Sequence, residues 1–141
     1  MKNVYKCFVL ILTALSGCNT AGDLERIRQA ELVWSRSNTL NYTLTYRLSC
    51  YCPRNKGTTE VKVVGGRVKD ARFIDEGLRR KPSSPLTVDK LYVGLENYMR
   101  RGYDVEFQYN EKTGVPTYMR LEHPKGMDSV VTFELIKFVI E

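Results

Sequence analysis

The sequence predicts an α+β domain in which two helices cover one face of a twisted, mainly antiparallel sheet of about six strands. Two stretches repeat apolar residues at helical spacing, and several shorter stretches alternate apolar with polar residues. The connections between the alternating stretches are short and rich in turn residues, which implies antiparallel pairing. The order helix-strand-strand-strand occurs twice, so we expect two halves of the same architecture in one sheet.

The first half begins with an amphipathic helix over residues 23–36. Its charged residues lie away from one apolar stripe, which consists of Leu24, Ile27, Ala30, Val33 and Trp34. A strand over residues 42–49 follows, and its alternation predicts one packed face and one polar face. Its apolar positions are Tyr42, Leu44, Tyr46 and Leu48.

Residues 59–64 and 67–75 form the next two strands, joined by Gly65-Gly66. Two glycines supply the positive φ angles of a two-residue hairpin. In that hairpin Val64 faces Arg67 and Lys62 faces Lys69. Because like charges directly opposite one another are destabilising, we expect the basic side chains to form a solvated stripe.

The second half starts after a basic, proline-containing connection. Thr87 is a good N-cap for a helix that ends at Gly102. The apolar face of that helix consists of Val88, Leu91, Leu95, Tyr98 and Met99. Strands are predicted over residues 103–109, 117–122 and 129–140, with a hairpin loop at 110–114 and a turn at 123–127.

The N-terminus predicts export. Lys2 and Lys6 form a positive segment that precedes an apolar run over residues 7–15, which is far shorter than the ~20 residues that span a membrane. Leu15-Ser16-Gly17-Cys18 resembles the lipobox of bacterial lipoprotein signal peptides. That resemblance implies cleavage after Gly17, lipidation of the Cys18 sulfur and acylation of its new amino group. The alternatives are an ordinary secretory signal peptide and an uncleaved anchor.

The mature chain has the size of one domain. Removing residues 1–17 from the 141-residue chain leaves 124 residues, and losing Lys2 and Lys6 lowers the net charge from +6 to +4. We assign residues 18–22 to the lipidated cysteine with a short tether and residues 23–141 to the folded domain. The mild positive charge suits a position beside an anionic membrane surface and does not indicate nucleic-acid binding.

Cys50-Tyr51-Cys52-Pro53 is the one unusual cluster of chemically active residues. Because Cys7 leaves with the signal peptide and Cys18 is committed to lipid, Cys50 and Cys52 can pair only with each other or with another molecule. In an oxidising compartment we expect a local structural disulfide. Cα atoms two apart in a strand lie ~6.6 Å apart, so the chain must bend at Tyr51 for the bridge to form. Redox activity, free thiols and a metal contact are the alternatives.

Other candidate sites are weaker. Lys62, Arg67 and Lys69, with Arg79, Arg80 and Lys81, form a candidate basic docking face or an ordinary solubilising surface. His123 is the sole histidine and is expected in a turn. No nucleophile, phosphate-loop, metal or dinucleotide motif is present. We therefore expect no enzyme activity, no metal and no cofactor.

Several short motifs occur in a characteristic order. Their residues are Trp34, Tyr42 and Tyr46, Cys50-x-Cys52-Pro53, Val61-x-Val63, Thr87-Val88-Asp89-x-Leu91, and Gly114-x-Pro116. This pattern resembles a family of small bacterial lipoproteins catalogued as a domain of unknown function. The resemblance implies export, lipidation and the α+β fold, and it implies no activity.

These observations favour a membrane-anchored, non-catalytic module that binds an envelope protein or a ligand, or that has a structural role in the envelope. The alternative is a thiol-disulfide or redox-sensing protein that uses Cys50 and Cys52. A third hypothesis is an inhibitor-like module that offers its sheet to a partner. Since Asn19 rather than aspartate follows Cys18, a cell with two membranes is expected to place the protein on its outer membrane, facing the periplasm.

Overall fold

Two helices and six strands follow one another in the order that the sequence predicts. The structure is a computed structural model, and it describes residues 20–50, 57–75, 81–126 and 130–141. The first half contains α1 (Thr20–Ser37), β1 (Tyr42–Ser49), β2 (Gly57–Val64) and β3 (Arg67–Phe73). The second half contains α2 (Val88–Arg100), β4 (Asp104–Tyr109), β5 (Pro116–Glu122) and β6 (Val130–Ile140).

The strands form one open antiparallel sheet in the order β3-β2-β1-β6-β5-β4. Each half contributes three neighbouring strands, and the halves meet where β1 pairs with β6. The α+β class and the repeated helix-strand-strand-strand order are therefore confirmed. Thr45, which the alternation places on the polar face of β1, is also buried. Since β1 is central, Glu60 and Lys137 flank Thr45 from the strands on either side.

The hairpin between β2 and β3 differs from the predicted register. Val64 lies opposite Arg67, as the two-glycine turn predicts. The predicted pairing of Lys62 with Lys69 is wrong, because a β-bulge shifts the register and Lys62 lies opposite Asp70. A bulge adds one residue to one strand, so every pair beyond it moves by one position.

Both helices pack on the sheet, and their apolar stripes form the core with it. The fully or nearly fully buried helix residues are Ile27, Ala30 and Trp34 of α1 and Val88, Leu91, Tyr92 and Leu95 of α2. The helix α1 begins at Thr20, so residues 20–22 belong to the helix and not to the tether that the sequence suggests. No helix of the described ranges has the length and apolar character needed to cross a membrane.

Gly114, in the loop between β4 and β5, lies directly against the backbone of α1. Its φ is +71°, and a Cβ added to it would lie 2.4 Å from the Trp34 nitrogen and 2.5 Å from the Ala30 oxygen. These are backbone atoms, so they cannot move aside unless α1 itself moves. Tyr92 of α2 donates a hydrogen bond from its hydroxyl to the Gly114 carbonyl. Both helices therefore contact this loop, and only glycine fits the contact with α1.

Candidate functional site

An apolar pocket between α2 and the sheet is the candidate site. Its volume is about 150 Å³, and apolar cavities of about that size hold one benzene-sized molecule. It is lined by one residue of β1, one preceding α2, five of α2, two of β5 and two of β6. These are Leu48, Leu86, Lys90, Leu91, Gly94, Leu95, Tyr98, Met119, Leu121, Val131 and Phe133.

The lining of the pocket is hydrocarbon at the floor and only slightly polar at the rim. The floor residues are between 1% and 5% exposed, and they are Leu91, Leu95, Met119, Leu121 and Phe133. The rim residues Leu48, Leu86, Tyr98 and Val131 are partly buried. Lys90 and Tyr98 alone carry polar side-chain atoms among the lining residues. This composition, mostly apolar with few polar groups, is typical of small-molecule sites.

Gly94 lies in the interior of α2 and leaves space where other residues would place a side chain. A glycine inside a helix costs about 0.5–1 kcal/mol relative to alanine. Gly114 is required by its contact with α1, whereas a Cβ added to Gly94 would meet no atom within 4 Å. The described structure thus gives no packing reason for glycine at position 94. What Gly94 does provide is part of the pocket wall.

Two tyrosines of β1 and the N-cap residue Thr87 fix the N-terminus of α2 and so position the pocket. The first backbone N–H groups of a helix lack partners within the helix. The Tyr42 hydroxyl accepts a hydrogen bond from the Val88 N–H at 3.2 Å, and Thr87 accepts one from the Lys90 N–H at 3.2 Å. The Tyr46 hydroxyl accepts one from the Leu86 N–H at 3.1 Å. Burial raises the pKa of both tyrosines, so both hydroxyls stay neutral.

The two helices are also joined directly. Trp34 Nε1 of α1 donates a hydrogen bond to Asp89 Oδ1 in the first turn of α2 at 3.0 Å. The Trp34 ring packs edge-on against Tyr42, with ring centroids 5.4 Å apart. The Trp, Tyr and Thr-Val-Asp motifs that the sequence singles out therefore belong to one arrangement that holds α2 over the sheet.

Cationic groups lie at both ends of the stripe of α2 that faces the pocket. Lys90, Gly94 and Tyr98 are spaced by four residues and so share one side of the helix. Lys90 Nζ donates a hydrogen bond to the Pro85 carbonyl at 3.0 Å. The Arg101 guanidinium lies 5.9 Å from the centre of the Tyr98 ring. Within the described ranges, neither cation is in an ion pair with a carboxylate.

The predicted basic docking face contains acidic partners. Lys62 Nζ lies 2.9 Å from Glu141 Oε2, and Lys81 Nζ lies 3.8 Å from Asp70 Oδ1. Arg67 and Lys69 are exposed on β3. Arg79 and Arg80 lie outside the described residues. The described part of the expected basic stripe is therefore a surface of mixed charge. Docking at this face stays a prediction.

The cysteine predictions fall mostly outside the described residues. Cys50 directly follows β1 and is partly buried, two residues after the pocket residue Leu48. Cys52, its predicted disulfide partner, and Cys18, the predicted lipidation site, lie outside the described ranges. The disulfide and the lipidation therefore stay predictions.

His123 occupies a turn after β5, as the sequence predicts. Its Nδ1 accepts a hydrogen bond from the Lys125 N–H at 3.1 Å, and its ring packs edge-on against Tyr103 with centroids 4.8 Å apart. Within the described ranges, no group of three or more His, Cys, Asp or Glu side chains could hold a metal ion.

Sequence reasoning did not find the pocket. Leu91 and Leu95 lie on the predicted apolar face of the second helix, and the other floor residues lie in predicted strands. An apolar pattern of this kind is the same whether the side chains pack fully or leave a space between them. The one sequence signal for the pocket is Gly94, since a glycine lies here in the interior of a helix and not at its end.

Comparison with known proteins identifies a family. Residues 26–134 match a family described as a family of unknown function (DUF6174). Neither the curated proteins nor the solved structures give a match.

Proposed function

This chain belongs to a family of unknown function (DUF6174), and from that premise we propose that it is a membrane-anchored bacterial lipoprotein whose domain is a non-catalytic binding module. The pocket beneath α2 is its ligand site in this proposal, and Cys18 carries the lipid. The ligand is a small molecule or part of one, since the pocket has room for about six carbon atoms.

Gly94 is the observation that carries the binding role. The residue weakens α2, the surrounding atoms do not require it, and the space it leaves is continuous with an apolar pocket. Positions that break a local rule without a structural reason are often functional. Because Gly94 lines the pocket, we expect a large side chain at this position to occupy part of it, so glycine there is explained if the pocket must stay open.

The N-terminal sequence supports the anchor. Leu15-Ser16-Gly17-Cys18 has the lipobox pattern, and α1 begins at Thr20, two residues after Cys18. Two residues reach at most ~7 Å. Lipid on Cys18 would therefore hold the start of α1 close to the bilayer surface, and the domain would face the envelope compartment.

The binding role is tested by filling the pocket. The mature chain, residues 18–141 with Cys18→Ser, which carries neither the lipid nor the apolar run of the signal peptide, is titrated with 1-hexanol while amide shifts are followed by NMR. We expect shifts centred on residues 90–98 that saturate in the millimolar range and are lost in Gly94→Leu. The matched control is Val93→Leu, because Val93 is 60% exposed on the same helix. Unchanged spectra for the parent chain would exclude the pocket as a ligand site.

The anchor is tested on the protein purified from its own envelope. Intact mass is expected to show a chain that starts at Cys18 and carries acyl groups, and Cys18→Ser is expected to lack the acyl mass and to keep residues 1–17. A mature chain that lacks acyl mass would contradict the anchor. Crosslinking in the envelope tests the structural alternative, in which the domain binds an envelope protein and not a small molecule.

The redox alternative is tested separately at Cys50 and Cys52. Under the structural hypothesis these cysteines resist alkylation until they are reduced, and the double Cys→Ser variant loses stability while the cells handle thiol stress normally. A defect under thiol stress with unchanged stability would favour the redox role and contradict the structural one.

A further inference from the structure

We infer that the ligand of this pocket is a short-chain anionic amphiphile, with an aliphatic tail of about six carbons on the apolar floor and an acidic head group beside Lys90. This inference rests on the proposed binding role of the pocket and adds the chemical class of the ligand. The head group is an anion such as a carboxylate, and the tail is one short hydrocarbon chain.

The size of the pocket limits the tail. About 150 Å³ is room for a molecule with six heavy atoms. A two-chain membrane lipid is far larger than this space. The occupant is therefore a soluble molecule with one short chain, and an intact bilayer lipid is excluded from the proposal.

The lining limits the chemistry of the tail. The floor offers leucine, methionine and phenylalanine side chains that are at most 5% exposed. A polar group placed there would lose its bonds to water and find no partner, which is unfavourable. The buried part of the ligand must therefore be hydrocarbon.

The rim determines the sign of the head group. Lys90 is the one charged residue of the lining, and its Nζ hydrogen-bonds to the Pro85 carbonyl at 3.0 Å. A lysine ammonium has three donors, so two remain for an incoming acceptor. Arg101, at the other end of the same stripe beside Tyr98, adds a second positive charge. No carboxylate of the described ranges is ion-paired with either cation, so the field at the rim favours an anion.

The experiment compares three six-carbon probes that differ in the head group. Hexanoate, 1-hexanol and hexylammonium are titrated into residues 18–141 with Cys18→Ser, and the shift of the Gly94 amide gives each Kd. We expect hexanoate to bind about three- to tenfold more tightly than 1-hexanol, because a charge-assisted hydrogen bond is added. Hexylammonium is expected to bind more weakly than 1-hexanol.

The variant Lys90→Met tests whether Lys90 binds the head group of the ligand. Lys90→Met keeps an unbranched stem of similar length and removes the charge, so hexanoate should lose its advantage while 1-hexanol binds as before. Lys112→Met is the matched control, since Lys112 is exposed in the β4–β5 loop. Raising the salt from low to high concentration should weaken hexanoate and leave 1-hexanol unchanged.

The outcomes separate this inference from the binding role. If 1-hexanol binds and Gly94→Leu abolishes its binding, but hexanoate is no tighter and Lys90→Met has no effect, the anionic head is wrong and the pocket still binds. If no probe binds, both proposals fail. If phosphatidylglycerol vesicles produce the same Gly94 shift as hexanoate, the soluble single-chain ligand is wrong.

Discussion

Replacing Gly114 by alanine tests the packing that holds the β4–β5 loop against α1. The φ of +71° disfavours any residue with a side chain, at a cost of about 1–2 kcal/mol. The added Cβ would also lie 2.4 Å from the Trp34 backbone nitrogen. Overpacking of this kind costs about 1–3 kcal/mol. We therefore expect Gly114→Ala to lower the free energy of unfolding by about 2–5 kcal/mol, a large part of the ~5–15 kcal/mol of a typical domain.

Gly102→Ala provides the matched control. Gly102 has a similar φ of +79°, but a Cβ there would have no atom within 4 Å. Gly102→Ala should therefore lower the free energy of unfolding only by the cost of the backbone conformation, about 1–2 kcal/mol. Urea unfolding followed by Trp34 fluorescence measures both variants, and the difference between them isolates the contact with α1. Equal losses in the two variants would refute the close approach of Gly114 to α1.

Three further predictions concern the support of α2 and the acid stability. Tyr92→Phe removes the hydroxyl that donates a hydrogen bond to the Gly114 carbonyl. Urea unfolding should show a free energy of unfolding lowered by about 1–2 kcal/mol, and an unchanged value would mean that the bond is not formed. Thr87→Ala removes the N-cap of α2 and should cost about 1 kcal/mol, which Thr87→Ser should restore; an unrestored loss would point to packing. The Lys62 ammonium and the Thr43 hydroxyl hydrogen-bond to Glu141 and lower its pKa below 4.5. The contribution of the ionised Glu141 carboxylate to stability is therefore present above pH 4.5 and is lost as the pH falls through the folded pKa. Glu141→Gln should therefore lose less stability than the parent chain between pH 5 and 3, and an identical pH dependence would contradict the ion pair.

The fold could be predicted from the sequence because each element carries its own periodic pattern. The helix N-cap at Thr87 and the helix end at Gly102 are local signals, and the structure has both. The tyrosines of β1 alternate with polar residues, so their burial follows from the geometry of a strand.

Other features depend on contacts between distant parts of the chain. The bulge that places Lys62 opposite Asp70 arises inside a hairpin whose turn looks regular in sequence. Tyr92 lies off the predicted apolar stripe of α2, and it is buried because its hydroxyl reaches Gly114. Such contacts are set by tertiary packing and leave no periodic signal in either segment.

The candidate site was the least predictable feature. A pocket is a volume left unfilled between α2, β1, β5 and β6, and no pattern within one element records the space between elements. Lys62 and Lys81, two of the basic residues that the sequence singles out, do not line the pocket, and Glu141 and Asp70 partly neutralise them.

Native mass spectrometry of the protein purified from its own envelope tests the binding role most directly. The spectrum of the wild-type chain is compared with that of Gly94→Leu and of the control Val93→Leu. We expect the wild-type and Val93→Leu chains to carry a small acidic, aliphatic adduct, and we expect Gly94→Leu to lack it. If all three spectra are the same, with no adduct or with an adduct that survives Gly94→Leu, the pocket beneath α2 is not the ligand site.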